Sequence, residues 1–237
     1  MTASPGRRSI RTVGKGELNG WFRIGVPFVH LLVRLFFRVK VIGIEHVPSS
    51  GPGILVFNHV SPLDGLAVGA EMGWRLKREI RFLVAAENFT RFFVGWVMRA
   101  FEQIPVRRGQ GDAAAVEQAV ITVRHGALAA LAPEGRVDHR AGAEGLQRIK
   151  SGVARIALAS GAPVVPIGIW GTQERWPRDG LTLRRPFRPR LALAFGAPIL
   201  PLGDAGDPQD LNAFRERVRV RLDEQVAQAR RLVGEAV

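Results

Sequence analysis

The sequence predicts a single α/β domain, a mixed sheet with helices packed on both of its faces. Two patterns in the 237 residues carry that prediction. Short apolar runs at 39–44, 53–57, 80–85, 127–131, 164–169 and 191–195 have the length and turn-rich flanks of strands. Segments with helical periodicity lie between most of them, as expected of strands joined by covering helices. The 46% hydrophobic content is ample for a core, and the length suits one domain with an appendage.

Residues 1–20 are polar, glycine-containing and basic, a composition too poor in apolar groups to order itself. They lack the apolar core and cleavage site of a secretory signal. Residues 21–37 reverse that composition. Apolar groups fill the segment except at Arg23, His30 and Arg34, which with Arg38 are spaced 7, 4 and 4 and so fall on one helical stripe. Pro27 lies on the same stripe and is placed to kink the helix. The uninterrupted apolar stretches fall far short of the ~20 residues a membrane span requires. The segment reads as an amphipathic helix at a membrane interface, with docking on the protein's own core as the other reading. The chain therefore divides into 1–38, a basic tail and interfacial helix, and 39–237, the α/β domain.

The first strand is followed by the turn 48–52, the strand 53–57 and the run Asn58-His59-Val60-Ser61-Pro62-Leu63-Asp64. Proline suits a first helical position. Ser61, with Asp64 three residues on, has capping-box spacing. The helix so opened should end near Gly73, and Asn88 should cap another over 88–98. Residues 102–108 form a short strand ending on Arg107-Arg108, and helices over 112–125 and 151–160 follow. Pro166 inside an apolar strand points to a sheet edge or a bulge. The loop 171–190 is rich in Arg, Pro and Gly, with Trp170 and Trp176 near its start, and suits a membrane-facing or a plainly solvated role. Behind the linker 198–208, a long helix runs from Gln209 to about Val233. Its residues Leu211, Phe214, Val218, Leu222, Val226, Ala229 and Val233 form a stripe that docks on a core.

His59 thus sits at the carboxyl end of a strand, where open α/β sheets place their ligands. Asp64 can hold the imidazole so that it accepts a proton from a hydroxyl, the base-and-orienter half of a triad. The competing reading makes Asp64 a helix cap and His59 a solvated loop residue.

The run Asn58-His59-x-Ser61-x-x-Asp64 after a strand resembles the glycerolipid acyltransferase family typified by 1-acyl-sn-glycerol-3-phosphate acyltransferase. Three further blocks follow in that family's order, over roughly residues 40 to 170: Glu102 to Arg108, Ala132-Pro133-Glu134-Gly135-Arg136, and Val164 to Ile169. The resemblance implies transfer of a fatty acyl group from acyl-CoA or acyl-carrier protein to the free hydroxyl of a lysophosphatidic-acid-like acceptor. The product is phosphatidic acid for phospholipid biosynthesis, and the thioester is a co-substrate, with no further cofactor implied. His59 becomes the general base and Asp64 its orienter, and the substrate-binding set is Asn58, Arg108, Glu134, Gly135 and Arg136. Arg108 and Arg136 face the phosphate, which suits the planar guanidinium fork. Glu134 and Gly135 lie against the glycerol and phosphate.

The chain departs from the family pattern in places. Ala86 stands where a lysine is common, and Arg107 where an acid is common. In the third block Ala132, Arg136 and Val137 replace Phe, Thr and Arg. The guanidinium has either moved by one residue or is supplied by another arginine, such as Arg140.

Composition narrows the chemistry further. There is no cysteine, so no acyl-cysteine intermediate and no thiolate metal site. No serine lies in a Gly-x-Ser-x-Gly elbow. None of the five histidines has metal-ligand spacing, so no metal is implied. The formal charge of +13 favours anionic partners. The preferred partners are a membrane lipid surface, the thioester donor and the acceptor, with no nucleic acid. The preferred location is the cytoplasmic face of the cell membrane, and nothing in the residues sets an oligomeric state.

Three rivals stand beside this reading. One is an acyltransferase for another lysophospholipid or hydroxyl. The second is a non-catalytic basic module on anionic lipid or nucleic acid. The third is a dinucleotide-binding unit built on Gly109-x-Gly111-x-x-Ala114 with Glu134 after the next strand.

Overall fold

The apolar runs form the strands, and the sheet they build decides which polar residues meet at its edge. The computed structural model describes residues 20–109, 111–137, 146, 148–177, 180, 182 and 187–234. Among them the strands are β1 (Arg38–Ile42), β2 (Gly53–Phe57), β3 (Ile80–Ala85), β4 (Ile104–Val106), β5 (Leu128–Leu131), β6 (Val164–Trp170) and β7 (Arg190–Phe195). They form one sheet in the order β1-β7-β6-β2-β5-β3-β4. Only the β6–β7 pair is antiparallel. The parallel strands β6, β2, β5, β3 and β4 therefore bring their carboxyl ends to a single edge. The helices are α1 (Gly20–Phe36), α2 (Asp64–Leu76), α3 (Phe92–Ala100), α4 (Ala113–Arg124), α5 (Gly152–Ser160) and α6 (Pro208–Val233).

Successive strand residues point to opposite faces, and both faces are covered. Ile54 and Val56 of β2 join a core with Val123 of α4, Val153 of α5 and Phe214 of α6. Leu55 and Phe57 join Val33 of α1 and Val68 and Met72 of α2. This is the three-layer mixed α/β architecture the sequence predicts.

α6 runs from its Asp207 cap, whose carboxylate accepts from the Gln209 N–H at 2.8 Å, and buries the expected stripe of Phe214, Val218, Leu222, Val226 and Ala229. Gly168 of β6 lets it lie close: a Cβ there would stand 2.0 Å from the Gln225 carbonyl oxygen.

Three local expectations need correction, and the one for Pro166 is narrowed. β6 is interior, between β2 and β7, so Pro166 does not mark an edge. It does mark a bulge. Ile167 pairs with Phe195, yet Val164, three residues back, pairs with Ile199, four residues on. The missing proline N–H falls at that interruption of the ladder. Gly73 does not end α2, which continues to Leu76 and closes on Lys77 in the left-handed region. Glycine is needed at 73 because a Cβ would come 2.8 Å from Val26 Cγ1 of α1. Pro62 lies in the turn ahead of α2 and not in its first helical position, since the regular helix opens at Asp64. Asn88 sits in a 3-10 turn (Ala86–Thr90), and α3 starts later, at Phe92.

α1 settles against α2 in an unexpected sense, with His30 and Arg34 of its polar stripe turned inward and Arg23 left exposed. Glu71 of α2 is fully buried and accepts from Arg34 at 2.9 Å (Nε) and 2.8 Å (Nη2) and from Arg75 Nε at 3.2 Å. His30 Nδ1 lies 3.3 Å from the same carboxylate, and its ring stacks on Trp74. A buried carboxylate persists only when compensated in this way. Ile24, Phe28, Leu31 and Leu35 are left exposed. No helix among the described residues is long and apolar enough to cross a membrane.

Candidate active site

The site begins where β2 leaves the sheet. Asn58 is fully buried and uses its amide as a substitute for the lost ladder. Its Nδ2 donates to the Ile169 carbonyl at 3.0 Å, and its Oδ1 accepts from the Ile169 N–H at 2.7 Å. Both ends of the amide are thus engaged with the Ile169 backbone. The next residue, His59, donates its backbone N–H to Glu134 Oε1 at 3.2 Å. The β2 and β5 ends are thereby tied across the edge, and Glu134 positions the histidine loop.

The His59 Nδ1 and Asp64 Oδ2 are 2.9 Å apart. The same oxygen accepts the Val60 and Ser61 N–H groups, each at 2.8 Å. The other oxygen, Oδ1, accepts the Thr172 hydroxyl. Four donors thus surround a carboxylate with no exposed surface, which is what keeps a charge tolerable there. With Nδ1–H donating to Asp64, Nε2 is the nitrogen left to accept a proton. The His59 side chain is 21% exposed, so a substrate can reach it.

Asp64 both orients His59 and closes the turn ahead of α2. The bond from Ser61 N–H to Asp64 has capping-box spacing, but the cap position of α2 is Leu63, so the bond closes the turn ahead of the helix. The Ser61 hydroxyl departs from the motif: it donates to the Trp176 carbonyl at 2.9 Å and accepts from the Leu63 N–H at 3.2 Å. The 171–177 segment after β6 is therefore stitched to the His59 loop at two points, Thr172 and Trp176. Neither contact is foreseen by the sequence reading; the only local signal is a hydroxyl residue directly beyond the fourth block.

After β5 the chain turns at Gly135, whose φ of +73° favours glycine. Its N–H donates to the Ala132 carbonyl at 3.1 Å. A Cβ on Gly135 would stand 2.4 Å from Lys150 Nζ, so the lysine lies directly over this turn. The Lys150 backbone N–H is tied to the Pro133 carbonyl at 2.8 Å. This exposed ammonium beside Glu134-Gly135 is missing from the sequence-predicted set. Its signal was faint: it is one of only four lysines in an arginine-dominated chain. Arg136 follows, exposed. Arg140 lies outside the described residues.

Arg108 stands just past β4 on the same edge. Its Nη1 is 3.2 Å from Glu87 Oε1, which follows β3, and both side chains are more than half exposed. Such a pair is worth little in water, so the guanidinium can exchange its carboxylate for a phosphate at small cost. Arg107 instead donates its backbone N–H to Asp112, the cap of α4, at 2.9 Å. Gly109 and Gly111 follow β4, a three-residue edge strand, and Glu134 is engaged with His59. That topology removes the dinucleotide rival, which needs its glycine turn at a switch point of the sheet. Among the described residues no three His, Asp or Glu side chains gather as a metal site would require.

A family model described as Acyltransferase matches residues 38–170. An uncharacterised protein of Mycobacterium leprae is 33% identical over 162 residues, which cover 64% of this chain and 41% of that protein. The 1-acyl-sn-glycerol-3-phosphate acyltransferase BAT2 of Brassica napus, a chloroplastic protein, is 29% identical over 145 residues, 60% of this chain and 40% of that one. The chain thus spans about two fifths of the length of these curated relatives. The crystal structure of the 1-acyl-sn-glycerophosphate acyltransferase PlsC from Thermotoga maritima matches 91% of this chain and 83% of that one, with a TM-score of 0.64 and 21% identity. At that identity the likeness speaks for the fold.

Proposed function

We infer the reaction from one premise: this chain belongs to the acyltransferase family, whose model spans more than half of its residues. The protein moves a fatty acyl group from an acyl thioester, acyl-CoA or acyl-carrier protein, to the free hydroxyl of a 1-acyl-glycerol-3-phosphate, forming phosphatidic acid. The observation that carries this reading is the His59–Asp64 pair, 2.9 Å apart at a strand's carboxyl end. The printed activities of the plant relative and the Thermotoga maritima enzyme support the choice of acceptor.

In the reaction His59 Nε2 takes the hydroxyl proton as the acceptor oxygen attacks the thioester carbonyl. The new C–O bond forms, the C–S bond breaks, and His59 returns the proton to the departing thiolate. Asp64 holds the ring and offsets the positive charge that forms on it. No protein nucleophile is required, in keeping with a chain without cysteine. Arg108 and Arg136 hold the acceptor phosphate, and Glu134 with Gly135 shapes the turn beside it. The acceptor resides in a bilayer, so the enzyme works on the cytoplasmic membrane surface, with α1 lying on it.

Mutation of the base and of the phosphate contacts tests this. His59→Ala should lower turnover by ~10²–10⁴-fold while the fold persists. Arg108→Ala and Arg136→Ala should each raise the acceptor KM about tenfold, the cost of a lost charge-assisted contact, and leave the donor KM nearly unchanged. Near-wild-type turnover by folded His59→Ala protein ends the catalytic assignment. Unchanged acceptor KM in both arginine variants would instead move the reading to an acceptor without a phosphate.

A further inference from the structure

We propose that α3 is a second lipid-contacting element, which enters an anionic bilayer surface beside α1 and lowers the phosphate-binding edge of the sheet onto it. The outer surface of α3 carries Phe92, Phe93 and Trp96, which are 96%, 70% and 45% exposed. Residues this large and apolar are seldom displayed together on a protein whose surroundings are only water. They are continuous with α1: Trp21 meets Trp96 edge-on with ring centroids 4.9 Å apart, and Phe93 stacks on Trp96 at 6.2 Å. The surface then extends along α1 through Ile24, Phe28 and Leu31.

Charge selects the occupant. Neither α1 nor α3 contains an aspartate or glutamate. Arg23, Arg91 and Arg99 on and beside these helices are exposed, while the acids at the two ends of α3, Glu87 and Glu102, are ion-paired with Arg108 and Arg81. Aromatic rings mixed with arginine, on helices that carry no acid, form the composition that sits at the boundary of an anionic bilayer. A second copy of the chain would set arginine against arginine and is disfavoured.

Position gives the surface its use. α3 follows directly on the 3-10 turn that carries Glu87, the ion-pair partner of Arg108. An α3 seated among head groups holds Arg108 at the depth of a lipid phosphate. Delivery of a bilayer-resident acceptor rests on the acyl-transfer reading above; the lipid contact itself does not.

The test uses the full chain and the double variant Phe92→Ser/Phe93→Ser. Flotation with vesicles of phosphatidylglycerol and phosphatidylcholine reads the surface. Transfer to a short-chain, water-soluble lysophosphatidic acid and to a long-chain one embedded in those vesicles reads the consequence. Both side chains are exposed, so the variant should melt with the wild type and use the soluble acceptor within about twofold. Its vesicle binding and its transfer to the embedded acceptor should each fall at least about tenfold, the lower end of what burying one large apolar side chain contributes. Unchanged flotation overturns the proposal. Loss of transfer to the soluble acceptor as well would overturn it too, placing the rings in the reaction and not on the lipid. If the wild type acylates neither acceptor, the acyl-transfer reading fails while flotation still judges α3. A dimer in solution that the double variant dissolves would give the surface to a second copy.

Discussion

Two helices cover opposite faces of the same sheet with reversed polarity. α6 turns Phe214, Val218, Leu222 and Val226 inward and its many arginines and acids outward. α1 turns His30 and Arg34 inward onto buried Glu71 and leaves Ile24, Phe28, Leu31 and Leu35 outside. Water favours the first arrangement by roughly 25 cal/mol for each Å² of apolar surface removed from it, and penalises the second. α1 keeps its place through charge-assisted hydrogen bonds, through buried Phe22 and Val33, and through the close approach that Gly73 permits Val26. A helix held this way gives the protein only Phe22 and Val33 as buried groups and presents most of its large apolar side chains outward. On the proposed membrane surface that face would meet lipid.

The largest test of this contrast is a matched truncation on the two helices. Leu222→Ala removes a fully buried side chain and should cost ~2–5 kcal/mol. Leu31→Ala touches an exposed one and should stay within ~0.5 kcal/mol. Urea unfolding of the two variants measures both. Equal losses would mean that the outer surface of α1 is packed against protein after all, and the contrast would collapse.

A smaller effect is expected at the ionic seat of α1. Glu71→Gln keeps the shape but removes the charge that binds Arg34 and Arg75. Each charge-assisted bond is worth ~1.5–3 kcal/mol, and the two arginines are partly exposed, at 35% and 41%, so water recovers much of that loss. The loss should be local: α1 loosens while the sheet and α6 hold. Limited proteolysis should cut within residues 20–37 sooner than in the wild type, with little change in the main melting transition. Protection equal to the wild type would show that apolar contacts, and not Glu71, hold the helix.

The same contrast explains what the sequence makes legible. Strands can be read locally because apolar runs and their flanking turns are local features. His59 and Asp64 are legible because both lie within one turn, where spacing restricts geometry. Thr172 is not, since it reaches Asp64 across 108 residues of chain by way of the segment after β6. Asn58 illustrates a subtler limit. Its place beside His59 marks it as part of the site, yet its buried amide is engaged with Ile169. The stripe of Arg23, His30 and Arg34 is plain in the spacing, but periodicity has no sign. It yields the axis of polarity and not which side meets the protein. Gly73 misleads for a related reason: glycine commonly closes a helix, and only the packing of α1 shows that here it makes room.

The smallest effect concerns protons under α1. His30 is surrounded by Glu71, Arg34 and Arg75, receives a backbone contact from Ala70, and stacks on Trp74. Burial lowers its pKa from the ordinary 6.5; Glu71 and the Ala70 contact oppose this, Arg34 and Arg75 reinforce it, and the net direction is down. The unfolded chain therefore binds this proton at a higher pH than the folded one does. Stability from the neutral ring is present above about pH 6.5 and is lost as pH falls below it, because the unfolded state then gains a proton that the folded state resists. Wild type and His30→Gln should be melted at about pH 7.5 and about pH 5.5. The two proteins differ at this ring alone, so the comparison isolates it. The wild type should lose more melting temperature over that interval than the variant. An identical loss in both would remove His30 from the linkage. A greater loss in the variant would reverse the sign, meaning that Glu71 outweighs burial and that acid tightens the seat of α1.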